Sequence, residues 1–157
     1  MRFEHLVEVN DASDPGAPGL SREQLWFGLL CRAEDARAFL PGLDECRIIE
    51  RAAGALVRDL HFGDVVVRDQ VFFEELQWMR FESVANEQHA GGSLTIAIEE
   101  PAPGALFLRF TYRTSLSEAD GSDDARYADF VRSAYHQSDI DTVRVIRMIA
   151  HSIGSPQ

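Results

Sequence analysis

The chain has 157 residues, 45% hydrophobic and 26% charged, which suits one folded domain over residues 1–157 with a real core. A formal net charge of -11 argues against a nucleic-acid backbone or an anionic membrane as partner. No stretch nears the roughly 20 apolar residues of a membrane span, the start Met1-Arg2-Phe3-Glu4-His5 lacks an apolar signal core, and Cys31 and Cys46 make no disulfide framework, so a cytoplasmic protein with reduced thiols is expected.

Residues 2–10 alternate as a strand, with Phe3, His5, Val7 and Val9 on one face. Asp11 to Gly19 is turn-rich, with Pro15-Gly16 and Pro18-Gly19. A helix starts at Ser21, where Gln24 completes a capping box and Leu20 with Leu25 has staple spacing. Leu25, Trp26, Leu29 and Leu30 form its apolar stripe. A second short helix over roughly 34–40 ends before Pro41-Gly42. The period then changes to two, predicting strands near 43–52, 55–62, 65–73, 77–85, 92–100 and 105–115. Ala53-Gly54, Gly63-Asp64, Gly91-Gly92 and Pro101-Ala102-Pro103-Gly104 separate them, and Glu74-Glu75 closes another hairpin. The register of that hairpin leaves open whether Trp78 or Met79 points inward. Glu118 to Asp124 is an acidic loop, and a long helix runs from about Ser122 to about Ile153. Short-looped consecutive strands imply one curved antiparallel meander, with the first strand pairing with the last. The long helix is the element able to cover the concave side.

One hairpin stands out. Both halves of Leu56–Phe62 and Val65–Phe73 alternate, and Gly63-Asp64 suits a tight primed turn that sets the register. Phe62 then faces Val65, Leu60 faces Val67, Leu56 faces Val71, and Arg58 faces Asp69 on the same apolar side. Charges are seldom buried without pairing, so this couple is the best clue to a site. As a site, Arg58 would grip a carboxylate or phosphate in two-point geometry, with Asp69 holding the guanidinium. As structure, the pair would only set strand register.

On the last helix, Tyr127, Val131, Ala134, Tyr135, Ser138, Thr142, Val145, Ile146, Ile149 and Ile153 share a face. Its middle, Ala134, Ser138 and Thr142, is small. That leaves room for a pocket against the sheet, or allows a close helix–sheet crossing.

The segments Arg2-Phe3-Glu4-His5-Leu6-Val7-Glu8-Val9-Asn10, Phe39-Leu40-Pro41-Gly42-Leu43-Asp44, Ala90-Gly91-Gly92-Ser93-Leu94-Thr95-Ile96 and Asp139-Ile140-Asp141-Thr142-Val143-Arg144 resemble the AtaL-like branch of the SRPBCC (START-like, birch-pollen-allergen-like) superfamily. The resemblance covers essentially the whole chain. It implies an α+β helix-grip (START-like) fold, a curved seven-stranded antiparallel sheet wrapped around a long C-terminal helix, with two short helices after the first strand. Superfamily relatives bind lipids, sterols or polyketides, and some catalyse cyclisation or aromatisation. The resemblance carries no catalytic signature to transfer, and fold alone does not choose among these roles.

The leading expectation is therefore a binding protein for a small hydrophobic or amphipathic molecule. Leu60, Val67, Val71, Phe110 and Ala134 would supply apolar wall, with Ser138 beside them. Arg58, Asp69, Tyr112 and His5 would supply polar contacts. The structural readings are a hydrogen-bonded core histidine at His5 and, at Tyr112, a ring packed in the core with its oxygen at the rim. The alternative is a polyketide-cyclase-, aromatase- or isomerase-like enzyme in the same cavity, with Arg58 stabilising an enolate and Asp69 or His5 moving protons. A protein-interaction module, a homodimer being one form, ranks last because Asp59, Arg68, Arg109 and Arg113 give the outer strand faces mixed charge. No histidine pair has ligand spacing with a third donor, so no metal site is expected. The absence of a phosphate-cradling loop, a nucleophile elbow or a dinucleotide fingerprint predicts no cofactor.

Overall fold

Period-two patterning becomes a seven-stranded antiparallel sheet in the computed structural model of the protein, which describes residues 2–10, 19–85, 91–114 and 122–154, with side chains over 129–153 of the last segment. The turn over 11–18, His89, most of the acidic loop and the Tyr127 side chain lie outside the described residues. In chain order the elements are β1 (Arg2–Glu8), α1 (Arg22–Glu34), a 3-10 turn (Ala36–Ala38), β2 (Glu45–Ala52), β3 (Ala55–Phe62), β4 (Val65–Glu74), β5 (Trp78–Ser83), β6 (Gly92–Ala102), β7 (Ala105–Thr114) and α2 (Ser122–Gly154). The sheet order is β1-β7-β6-β5-β4-β3-β2, so the first strand does pair with the last.

Local chemistry explains the boundaries. Ser21 and Gln24 form the reciprocal capping box that starts α1. Asp35, in extended backbone, ends the helix and caps the following turn by accepting from the Arg37 amide. The expected second short helix is thus one 3-10 turn, because α1 runs on to Glu34 and Asp35 interrupts the helical path. The turn between β4 and β5 spans 75–77, with Leu76 in the left-handed region at φ 66. This sets the open register: Met79 is buried in the core, whereas Trp78 is half-exposed and donates its indole N–H to Glu74.

The inner face of the sheet packs Met79, Ile96, Leu108 and Phe110 in one core with Leu25 and Leu29 of α1 and Ile146 of α2. Burying such side chains stabilises by about 1.5–3 kcal/mol each. The outer face carries mixed charge, as expected, beside exposed Leu6 and Val66: Arg68 pairs with Asp59, and Arg109 bridges Glu4 and Glu99 across three strands. The two helices touch where α1 has no side chain. A Cβ on Gly28 would lie 2.5 Å from Ile146 Cγ2.

The apolar stripe on α2 keeps most of its predicted positions but is displaced toward one flank. Val131 and Tyr135 are half-buried and Thr142 is buried as expected, but Asp139 and Val143 are buried too. Ala134 and Ile153 are exposed. The displacement follows from what Asp139 bonds to.

Candidate functional site

The β3–β4 hairpin is built as its turn dictates. Gly63 takes the positive φ (58) of a primed turn, and Arg58 lies opposite Asp69 between the Leu60/Val67 and Leu56/Val71 pairs. Arg58 is 1% exposed and Asp69 2%. The contact is two-pronged, with Nε to Oδ1 at 2.9 Å and an Nη to Oδ2 at 2.6 Å. The other Nη donates to the carbonyls of Arg32 and Ala33, each at 3.0 Å. Those carbonyls end α1 and have no intrahelical donors. Four of the five N–H groups of Arg58 are thereby committed, and both oxygens of Asp69 are taken. The pair docks the end of α1 onto the sheet.

Arg32 projects from that docked end. It is 6% exposed, and its Cζ lies 4.5 Å from the centroid of the Phe81 ring. Among the described residues no hydrogen bond or ion pair reaches its guanidinium, and its buried Nε has no acceptor. Burial pushes the group down to about 10, and the nearby Arg58 charge acts the same way against the pull of Tyr112, Asp139 and Asp69. It is charged at neutral pH. The helix C-terminus favours a cation by about 0.3–1 kcal/mol, less than the several kcal/mol that burying an uncompensated charge costs.

A second polar cluster joins sheet and α2. Asp139 accepts a hydrogen bond from the Tyr112 hydroxyl on Oδ1, and its Oδ2 lies 2.7 Å from His5 Nδ1. Burial raises the Asp139 carboxyl above the usual carboxylate range, against the bonds from Tyr112 and His5. Burial, reinforced by the Asp139 charge, raises the Tyr112 hydroxyl as well. The Tyr112 ring stacks on Tyr135 at 4.1 Å and 3°. His5 meets the His136 ring edge-on.

Between these clusters lies a cavity of about 760 Å³. Strands β3 to β7 line it, with Arg32 of α1 and Val131 and Tyr135 of α2. Of the residues singled out from the sequence, it brings together Arg58, Asp69, Tyr112, Leu60 and Val67. Val71 and Phe110 are buried in the main core instead. His5 is held by Asp139 behind Tyr112. Ser138 is half-buried, and its carbonyl accepts from Thr142. The apolar wall expected at Ala134 is not there, because the displacement of the α2 stripe exposes that residue.

Sequence reasoning missed Arg32 and Asp139. Arg32 had a signal: it follows Leu25 by seven and Leu29 by three, on the buried stripe of α1. Asp139 follows Tyr135 by four, beside the predicted stripe, but its partners lie on distant strands. No group of three or more metal-ligating side chains occurs among the described residues. No helix among them is long and apolar enough to cross a membrane.

A curved seven-stranded antiparallel sheet, a long C-terminal helix and a cavity between them define a helix-grip protein of the SRPBCC type. The chain belongs to the AtaL family, described as acetylaranotin biosynthesis cluster protein L, whose pattern matches residues 7–152. Among solved structures it is similar to the ZhuI aromatase/cyclase from Streptomyces sp. R1128, with 14% identity, a TM-score of 0.65, and 96% of this chain and 93% of that one covered. It is also similar to Ara h 8.0201, at 13% identity and TM-score 0.60 over 94% of this chain and 98% of that one. The Aha1 dimer from Colwellia psychrerythraea aligns at 11% identity and TM-score 0.60, covering 93% and 96%. At such identities the likeness is one of fold. No curated protein matches the sequence.

Proposed function

We propose that the protein binds a small amphipathic molecule in the cavity between the sheet and α2. One observation carries this reading: the cavity, about 760 Å³, falls within the range of small-molecule sites. Its wall is mixed in the way such sites are, with Leu60, Val67, Phe81 and Leu94 supplying apolar surface and Arg32 and Tyr112 polar contacts. The test is direct. A molecule released from purified protein by solvent extraction is identified by mass spectrometry, and the fluorescent probe N-phenylnaphthylamine is titrated into the emptied protein. Saturable binding is expected in the wild type and weaker binding in Val67→Trp, which projects an indole into the cavity and narrows it. Binding indifferent to Val67→Trp would overturn the reading.

A second reading, a cyclase-, aromatase- or isomerase-like enzyme, is favoured by the hydroxyl of Tyr112. Tyr112 lines the cavity, and its hydroxyl is bonded to Asp139, with His5 behind. Such a relay is able to hold or move a proton. Asp69 fits the base role poorly, since Arg58 takes both its oxygens. Turnover of a poly-β-ketone thioester mimic that disappears in Tyr112→Phe, with ligand binding retained, would favour this reading. The absence of turnover in the wild type would remove it.

A further inference from the structure

We infer that Arg32 is the docking group for an oxyanion, a carboxylate or an enolate-type oxygen, on the molecule the cavity binds. This deepens the binding reading above and rests on it. The guanidinium lines the cavity, is 6% exposed, and meets no acceptor among the described residues. Buried cations are ordinarily paired, and the cation beside it is: Arg58 has Asp69 and two carbonyls. Arg32 thus keeps its donors for something that the described residues do not provide.

The surroundings fit an anion rather than a neutral oxygen. Arg58 and Asp69 cancel each other. Asp139 is bonded to Tyr112 and His5 and makes no hydrogen bond to Arg32, although its charge is felt there. The carbonyls that end α1 are taken by Arg58, so they are not acceptors for Arg32. Phe81 supports the positive charge through its ring but takes none of the N–H donors. A positive charge thus remains without a directly bonded anion among the described residues, in a site largely removed from water, where a charge-assisted fork is strongest. The site is also preorganised. Arg58 clamps the backbone of Arg32 itself, so the side chain starts from a fixed point.

Two fluorescent probes that share a scaffold separate this inference from the binding reading. Anilinonaphthalene sulfonate carries an anion, and N-phenylnaphthylamine is its uncharged parent. The wild type is expected to bind the sulfonate about tenfold or more tightly than the parent. Arg32→Met is expected to remove that preference by weakening the sulfonate far more than the parent, and Arg32→Lys restores part of it. The unfolding midpoint of Arg32→Met is expected to equal or exceed that of the wild type, because a buried charge without a directly bonded anion has been replaced by an apolar side chain. Arg32→Gln is titrated alongside and decides the matter if the Met variant folds poorly. A sulfonate preference that survives in both variants, or equal loss of both probes, overturns the assignment and leaves the binding reading standing. Failure of the wild type to bind either probe overturns both.

Discussion

Arg58 and Asp69 draw their stability from each other and from the end of α1, so neither tolerates the loss of its partner. Arg58→Met or Asp69→Asn is expected to lower unfolding free energy by about 3–5 kcal/mol in urea denaturation, because each leaves a buried charge unpaired. The double variant Arg58→Met/Asp69→Leu should recover much of the loss. It should not recover all of it, since the carbonyls of Arg32 and Ala33 stay without donors. Asp139 gives a pH signature instead. Its carboxyl is raised in the folded state above the ordinary 3.8, so the folded protein holds that proton more tightly than the unfolded chain. Stability from this group is full below 3.8 and is lost as pH rises from there through the folded value. Asp139→Asn should flatten that component when unfolding midpoints are compared between about pH 4 and pH 7. The Arg58–Asp69 contact was legible in the sequence because a two-residue turn dictates register across a short hairpin. The bonds of Asp139 were not, because His5 is 134 residues away and no local pattern reports such a contact. Arg32 was overlooked for a different reason: hydrophobic patterning passes over a charged residue even at a buried helical position.

Between elements, the tightest constraint is the crossing of α1 and α2 at Gly28. Alanine there gains about 1 kcal/mol of helix propensity, but its methyl meets the β-branched, rotamer-restricted side chain of Ile146. Overpacking of this kind costs about 1–3 kcal/mol. Gly28→Ala should therefore lower the unfolding midpoint. Combined with Ile146→Ala, it should cost less than the sum of the two single changes, a non-additivity that a double-mutant cycle reads directly. Helix starts, strand order and the inner faces of β3 and β4 followed from caps, turns and period-two alternation. The displacement of the α2 stripe did not, because bonds from Tyr112 and His5 to Asp139 compete with hydrophobic patterning and draw that flank of the helix toward them. The short helix expected after α1 became a 3-10 turn for a similarly local reason, the double use of Asp35 as the end of one element and the cap of the next.

Across the whole molecule, the meander from β2 to β7 joins neighbours in sequence, which is why its architecture could be anticipated. Strand β1 is the exception: Phe3 pairs with Tyr112 and Arg2 with Arg113. On a ribosome, the opening strand must wait for most of the chain to be synthesised before its partner exists. Long-range pairing of this sort forms late, since chain closure entropy opposes it until the rest has collapsed. Val7→Ala, a truncation on that strand, should accordingly speed unfolding in stopped-flow experiments and leave the refolding rate nearly unchanged. Since β1 also carries His5 to Asp139, the proton-bearing cluster behind Tyr112 would be among the last features a nascent molecule completes.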